Sequence, residues 1–453
     1  MKLTLLVNYL SSNKKKECCQ WNSMLILVGR MYFNFIKLLY ARGAFHILLS
    51  TFATRFAEFF GTIAVVRLLT KEEYGLVSYV ENIYGYLLIF AGLGLSNGLL
   101  RYVVLAEGAL KEAYFRYVLG HSIVRNCVLA LGLLAVNLFA PYPQEFEVAR
   151  DWVPLMALLL PLQDLVKDGR FGLRALFRNK LYADLSLAVS LLLIIGRIAG
   201  AYLDGVGGVL WSRVLINGSF AVLVVYLALA AYRQETGPER CGLTQLQRRE
   251  LDRYSGQYML TNGLWALFML NDTFLLGQLG SSPAVLAEYK VAYVVPGILA
   301  IFATAVGMFV GPYFTKHEHE RAWVCRNWQR TLLLTAAVTG LAAAVFALLA
   351  RPLIVAVYGE VYEDIAPLMR WLLLASFIYS GLGYTTVNLL SAMGEVRYNI
   401  NVSLVGIAVQ VVLDCLMIPS MGAYGVAFSS CITYTVMCVL VTRFFMRKYH
   451  FRV

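Results

Sequence analysis

FATRFAEFFGTIAVVRLLTKEEYGLVSYVENIYGYLLIFAGLGLSNGLLR is the stretch from Phe52 to Arg101. Two long apolar runs, joined by Arg67-Leu68-Leu69-Thr70-Lys71-Glu72-Glu73-Tyr74-Gly75, carry Arg55, Glu58 and Glu81 inside them. About 20 apolar residues suffice to cross the hydrocarbon of a bilayer. The pattern therefore predicts a transmembrane hairpin with charges at bilayer depth. An ionised side chain there costs roughly 2.5–3.5 kcal/mol on insertion scales, so each needs a partner or a water-filled cavity. A channel or transporter meets that need.

The whole chain continues in the same manner. Of its 453 residues 59% are hydrophobic and 15% charged, with a mean hydropathy of +0.66, whereas a soluble domain carries roughly 25% charged residues. This is the composition of a polytopic membrane protein, with no stretch that reads as a detachable soluble domain. The net charge of +12 is not gathered in one patch, and nucleic acid is not an expected partner. The cysteines, Cys18, Cys19, Cys127, Cys241, Cys325, Cys415, Cys431 and Cys438, show no metal-ligand spacing, so neither a disulfide nor a zinc site is expected.

Twelve spans are predicted, at 44–68, 74–98, 116–140, 152–173, 181–203, 207–232, 254–278, 287–312, 328–350, 364–389, 396–418 and 421–443. The fourth is the weakest, because Asp164, Lys167 and Asp168 occupy its second half. Lys and Arg fall in alternate connections, 29 on the side of both termini against Arg67, Lys71, Arg150, Lys290 and Arg351 on the other. The positive-inside rule then puts both termini in the cytoplasm. The expected division is a cytoplasmic segment 1–43, read as disordered and not as a cleaved leader, then a first lobe 44–232 of spans 1–6. A cytoplasmic linker 233–253, a second lobe 254–443 of spans 7–12 and a tail 444–453 follow.

The halves resemble one another. With an offset of 217, Ser186, Gly205, Gly208, Val209 and Ser212 fall on Ser403, Gly422, Gly425, Val426 and Ser429, and Arg197 falls on Asp414. An offset of 215 places Glu73-Tyr74 on Glu288-Tyr289. Six spans per half make the repeats parallel, related by an axis along the membrane normal.

The Arg67–Gly75 connector followed by Gly92-Leu93-Gly94-Leu95-Ser96-Asn97-Gly98-Leu99-Leu100-Arg101 resembles the first helix pair of the polysaccharide flippases of the multidrug/oligosaccharidyl-lipid/polysaccharide exporter superfamily. Asn271-Asp272-Thr273-Phe274-Leu275-Leu276-Gly277 with Ala287-Glu288-Tyr289-Lys290-Val291-Ala292 looks like its seventh and eighth helices. Tyr358-Gly359 to Ala392-Met393-Gly394-Glu395 and Ile418-Pro419-Ser420-Met421-Gly422-Ala423-Tyr424-Gly425 look like its C-terminal signature, and the likeness covers residues 41–443. The resemblance implies an all-α membrane protein of two six-helix lobes around a V-shaped cavity that opens alternately to either side. It implies transport of a polyprenyl-linked glycan across the plasma membrane, driven by a proton or sodium gradient and without a bound cofactor. Polysaccharide polymerase and glycosyltransferases are the partners it suggests. Twelve spans suit the oligosaccharide exporters better than the fourteen-span lipid II flippases.

The residues that would carry such transport are the charges inside spans. Arg55, Glu58, Arg125, Arg197, Arg213 and Arg370 are the candidate substrate-binding side chains, because guanidinium binds pyrophosphate or sugar carboxylate bidentately and stays protonated. They are read as a cationic track from the inner to the outer leaflet. Bland readings stand beside this one. Arg55 and Glu58, three apart on one helix, fit a simple intrahelical pair, Arg197 and Asp414 fit a pair between the halves, and Arg213 and Arg370 fit snorkelling to headgroups. Asp272, Asp414 and Glu81 are the ion-coupling candidates.

His317-Glu318-His319-Glu320 reads as a solvated turn, since alternate residues on a helix diverge and do not make a metal pair. Tyr86 and Tyr384 fit either sugar stacking or core packing, with packing favoured. Pro161, Pro296, Pro312, Gly92, Gly94 and Gly98 mark places where helices bend or approach closely.

No covalent chemistry is needed, and the Gly-x-x-x-x-Gly-Lys-Ser/Thr nucleotide loop is missing. The chain is read as a transporter and not an enzyme. A cation-coupled multidrug exporter of the same fold is the alternative, followed by a membrane glycan polymerase or ligase, which would need a catalytic base and a large outer loop.

Overall fold

Helix dominates the computed structural model, which describes residues 44–237, 241–280 and 282–449. The expectations for 1–43 and for the last residues of the tail lie outside the described residues. The first half comprises α1 (Ala44–Leu68), α2 (Lys71–Phe90), α3 (Leu95–Leu105), α4 (Leu110–Phe139), α5 (Ala149–Ala175) and α6 (Asn179–Thr236). The second comprises α7 (Gln245–Leu279), α8 (Pro283–Lys316), α9 (Arg321–Leu348), α10 (Ala350–Tyr358), α11 (Ala366–Phe377), α12 (Tyr384–Ala392), α13 (Val396–Met421) and α14 (Ala423–Lys448).

Eight helical segments among the described residues are long and apolar enough to cross a membrane. One of them, the 58-residue α6, doubles back at Asp204 and Gly205, where Gly200 and Gly208 meet backbone to backbone, and so makes two passes. Helices α1, α5 and α7, with 25, 27 and 35 residues and charges of their own, complete the series. The arrangement is consistent with twelve passes.

Local chemistry sets the joints. Thr70 caps α2 through a reciprocal box with Glu73, its backbone N–H donating to Glu73 Oε2 at 2.9 Å. Ser282 caps α8, whose first residue is Pro283. At the return inside α6, Gly205 takes φ 53°, ψ −124°, and at the α13–α14 joint Gly422 takes φ 55°, ψ −130°. A Cβ is disfavoured in that region, which is why glycine stands at both. The pair is related by the offset of 217. The same offset relates two close backbone approaches, Gly208 on Gly200 and Gly425 on Met417, and two hydroxyl contacts, Ser212 to Val209 O and Ser429 to Val426 O. The repeat seen in sequence is thus a repeat of local geometry.

Some boundaries differ from expectation. The second span runs on past 98 to Leu105, broken at 91–94 where Gly92, Leu93 and Gly94 have φ of 54°, 50° and 76°. The expected linker 233–253 is largely helical, since α6 extends to Thr236 and a second capping box, Thr244 with Gln247, starts α7 at Gln245. A short helix, α10, and a tight turn over Glu360–Ile365 precede the tenth pass, and a π-helical turn over Ile378–Gly383 interrupts it.

The halves meet along α2–α3. This element packs on α7 from Tyr79, whose hydroxyl accepts from Gln278 at 2.6 Å, through Asn82, which donates to Leu270 O at 3.0 Å, to Gly98 against Ser255. At the end opposite the 237–244 connector, further contacts close the molecule. Arg67 donates to Val357 O at 2.7 Å and Ala356 O at 2.5 Å, and Lys71 pairs with Glu288 at 2.6 Å. Gly75 lies directly on the Pro283 carbonyl. Toward the connector end, α8 turns to its own half, with Thr315 donating to Ala392 O at 2.9 Å. Phe56 and Phe60 in the middle of α1, and Ile301 and Phe309 in the middle and later part of α8, are exposed. These contacts fit a cleft that is closed at one end and open at the connector end.

A Cβ on Gly75 would lie 1.8 Å from Pro283 O. Gly75→Leu is expected to force the closed end apart. Disulfide cross-linking of a Lys71→Cys/Glu288→Cys pair should be efficient in the parent chain and fall several-fold when Gly75→Leu is added.

Candidate functional site

Both arms of α6 aim a guanidinium at one carboxylate on α2. Arg213 donates to Glu81 Oε1 at 2.8 Å and Arg197 approaches the same oxygen at 3.3 Å. The turn at Asp204–Gly205 sets Arg197 and Arg213 on facing arms, which is how residues sixteen apart in sequence converge. Arg213 also lies over the Tyr84 ring at 5.3 Å, and the Tyr84 hydroxyl donates to Gln163 at 2.8 Å. A third cation, Lys290 of α8, interacts electrostatically with Glu81 from the other half. Arg197 Nε is buried and has no partner among the described residues.

Glu81, Tyr84, Arg197 and Arg213 line a cavity of about 390 Å³ together with Glu58, Thr62, Leu88 and Ile194. Its charge is unbalanced. Two arginines face the single carboxylate of Glu81, and Glu58 at the margin is already paired with Arg55 at 3.2 Å. The balance is positive and one buried donor is unspent, which is the electrostatic setting for an anion.

The expected track is only partly assembled. Arg197 and Arg213 are together in the cavity, and Arg55 reaches its margin through Glu58, with its own side chain 79% exposed. Arg125 is elsewhere, paired at 2.9 Å with Asp252 of α7, which also accepts from Tyr117 at 2.9 Å. Arg370 is exposed and donates to Ala347 O at 3.1 Å, a geometry that suits the snorkelling reading. Arg213, by contrast, does not snorkel, for Glu81 holds it inside. The pairing of Arg197 with Asp414 is not formed, because Glu81 takes Arg197 and Asp414 lies in the core of the second half. Glu81, named above among the ion-coupling candidates, is engaged by both Arg197 and Arg213.

The other two carboxylates make a separate buried cluster. Asp272 accepts from Tyr289 at 3.1 Å and from Gln410 at 2.5 Å. Asp414, one helical turn beyond Gln410 on α13, accepts from the Ser429 hydroxyl. Asp414 Oδ2, Gln410 Oε1 and Thr433 Oγ1 are buried and without partners among the described residues. Lys290 interacts with Asp272 as well as with Glu81, so it links the cluster to the cavity. Sequence reasoning missed Lys290, counting it as an outer-loop lysine. The available signal was its place directly after the repeated Glu288-Tyr289 pair, inside a span.

Tyr86 packs on Phe274 and Tyr384 on Tyr379, as core residues do. His317 closes α8 against Glu320 and stacks on Trp323, in keeping with a charged turn. The six cysteines among the described residues are free.

Comparison with known proteins gives the setting. A family model described as polysaccharide biosynthesis protein matches residues 64–367. An uncharacterized membrane protein of Methanocaldococcus jannaschii is 21% identical over 397 residues, 82% of this chain and 76% of that protein. Among solved structures, the lipid II flippase MurJ in an inward closed conformation superposes with a TM-score of 0.68 at 14% identity over 89% of each chain. An inward-facing multidrug resistance MATE family transporter of the MOP superfamily gives 0.65 at 14% identity over 88% of this chain and 94% of that one. At such identity the likeness establishes the fold, which is the one those transporters share.

Glu81→Gln would leave the Arg197 and Arg213 guanidiniums facing one another in a half-buried site. The expected cost lies between surface and fully buried pairs, ~1–3 kcal/mol. Thermal unfolding of the purified variant should show a lower midpoint, restored in part when Arg213→Gln is added.

Proposed function

This chain belongs to the polysaccharide biosynthesis protein family, and we propose that within it the molecule is a flippase for a polyprenyl-pyrophosphate-linked oligosaccharide. The observation that carries this is the cavity in which Arg197 and Arg213 converge on Glu81, with Arg197 Nε unspent. A pyrophosphate has the charge to compete with Glu81 and the oxygens to take both guanidinium forks. Glu81 then keeps the arginines aimed while the cavity is empty. The glycan crosses in the cleft and the polyprenyl tail stays in the bilayer beside the helices. Binding uses no covalent step, so the chain works as a transporter and not as an enzyme.

Sidedness follows from charge. The 29 basic residues on the connector side support an orientation in a plasma membrane with that end, and both termini, toward the cytoplasm. The open end of the cleft then faces the compartment where glycosyltransferases build the lipid-linked glycan. Release on the other face requires the Arg67, Lys71 and Gly75 contacts to part, while the two six-helix lobes rock about α2 and α7. A polysaccharide polymerase is the class of enzyme that would consume the product.

For coupling, Asp272 and Asp414 are the groups we assign to a proton or sodium ion. The unpartnered oxygens of Asp414, Gln410 and Thr433 offer the ligands. A cation there changes the field at Lys290 and through it the hold of the cavity on an anion. Glu81 is assigned to the substrate site.

The alternative, a cation-coupled multidrug exporter of the same fold, draws on the apolar Leu88 and Ile194 in the lining. Cationic drugs would meet the excess of positive charge there, which favours the anionic substrate.

A charge-assisted hydrogen bond contributes ~1.5–3 kcal/mol, so removing one guanidinium should weaken binding about 10- to 100-fold. Affinity of a polyprenyl-pyrophosphate oligosaccharide for the protein in nanodiscs should fall by that factor in Arg197→Gln and in Arg213→Gln. Arg370→Gln, outside the cavity, should bind as the parent does. Equal affinity in all four proteins would contradict the assignment.

A further inference from the structure

The first half contains a second buried carboxylate cluster, outside the cavity, that neither the substrate site nor the Asp272–Asp414 cluster uses. Asp164 and Asp168 stand one turn apart on α5 and are 2% and 0% exposed. Ser122 of α4 donates to Asp164 Oδ2 at 3.2 Å, and Asn126 of the same helix donates to that oxygen at 2.7 Å. Ser96 of α3 donates to Asp168 Oδ1 at 2.6 Å. The remaining oxygen, Asp168 Oδ2, is fully buried and has no partner among the described residues. Lys167 is the one cation within ion-pair reach among the described residues, 3.6 Å from Asp164 Oδ1 and partly exposed.

The arithmetic of charge is simple. With both carboxylates ionised, the one ammonium leaves a deficit of one positive charge, in a place where an unbalanced charge is costly. The cluster joins the carboxylates of Asp164 and Asp168 on α5 to the hydroxyls of Ser96 on α3 and Ser122 on α4, and carboxylate and hydroxyl oxygens are the donor set of a hard cation. Among the described residues there is no group of three or more His, Cys, Asp or Glu side chains suited to a metal, so a divalent ion is poorly matched.

We propose that Asp164, Asp168, Ser96 and Ser122 form a binding site for one sodium-sized monovalent cation. The site is joined to the break in the second pass. Asn126, which holds Asp164, also accepts from the Gly92 N–H at 2.9 Å, and a Cβ on Gly92 would lie 2.5 Å from Asp164 Oδ2. Two residues on, Gly94 rests on the Ser255 carbonyl of α7. Occupancy of the site therefore steadies the bend at 91–94, and with it the seam between the halves at the connector end. This assignment does not rest on the flippase reading or on the nature of the transported substrate.

The test is equilibrium binding of radiolabelled sodium to the full-length protein in detergent, in an Asp272→Asn/Asp414→Asn background that removes the other cluster. One sodium per chain should remain, and adding Asp168→Asn should abolish it. Should that variant fail to fold, Ser96→Ala and Ser122→Ala, which keep the charges, should each weaken sodium binding several-fold. Sodium, and not an equal concentration of choline, should also raise cross-linking of a Tyr102→Cys/Tyr254→Cys pair, whose rings lie 6.0 Å apart across the seam. A background protein that binds no sodium, or one whose binding is unchanged by Asp168→Asn and both serine variants, would overturn the proposal. The pair would then be neutralised by a proton.

Discussion

A carboxylate held between two guanidiniums inside a bilayer-spanning bundle is the constraint from which the first half is built. Glu81 cannot face lipid, and neither can Arg197 or Arg213, because the hydrocarbon offers no water to solvate them. The solution brings α2 against both arms of α6, and the sharp return at Asp204–Gly205 is what makes the two arginines converge. Packing alone would not choose this arrangement, since lipid tails are as apolar as the side chains they replace. Small residues permit close approach, as Gly200 and Gly208 do, but the polar groups decide which faces must turn inward.

The same rule explains the rest of the interior. Asp272 is met by Tyr289 and Gln410, Arg125 by Asp252, and Asp164 by Ser122 and Asn126. Charged groups left incompletely matched include Arg197 Nε, Asp414 Oδ2 and Asp168 Oδ2, polar capacity that folding does not use. These three places are where ligands are argued to bind. One would receive an anion within the first half, and two would receive small cations, one within each half. Lys290, which interacts with both Glu81 and Asp272, is the physical route by which the second-half cluster and the cavity would influence one another.

Much of the fold was legible in the sequence, because apolar run length and loop charge report directly on crossing the bilayer. The repeat was legible for a similar reason. Gly205 and Gly422 occupy left-handed backbone positions that demand glycine, so the offset of 217 left a visible mark. Partnerships between charges were less so. Arg197 and Asp414 share equivalent places in the two halves, yet equivalence by repeat is not proximity, and Glu81 proved to be the nearer carboxylate. The helical start of α7 was hidden by its charged residues, Arg248, Arg249, Glu250, Asp252 and Arg253, which read as a loop although a capping box precedes them. The break at Gly92–Gly94 was foreseen as a flexible place but not as the point to which Asp164 and Asn126 are tied. Such ties are between residues distant in sequence, and a periodic pattern carries no record of them.

The account turns on an anion-binding cavity that moves a lipid-linked glycan from one leaflet to the other. Its most direct test is transport by the wild-type protein in proteoliposomes, comparing a fluorescent polyprenyl-pyrophosphate oligosaccharide with the same glycan on an uncharged lipid linker. The account predicts that the pyrophosphate-linked compound changes leaflet and that the uncharged one does so many-fold more slowly. Equal rates for the two, or no movement of either alongside export of a cationic drug, would contradict it.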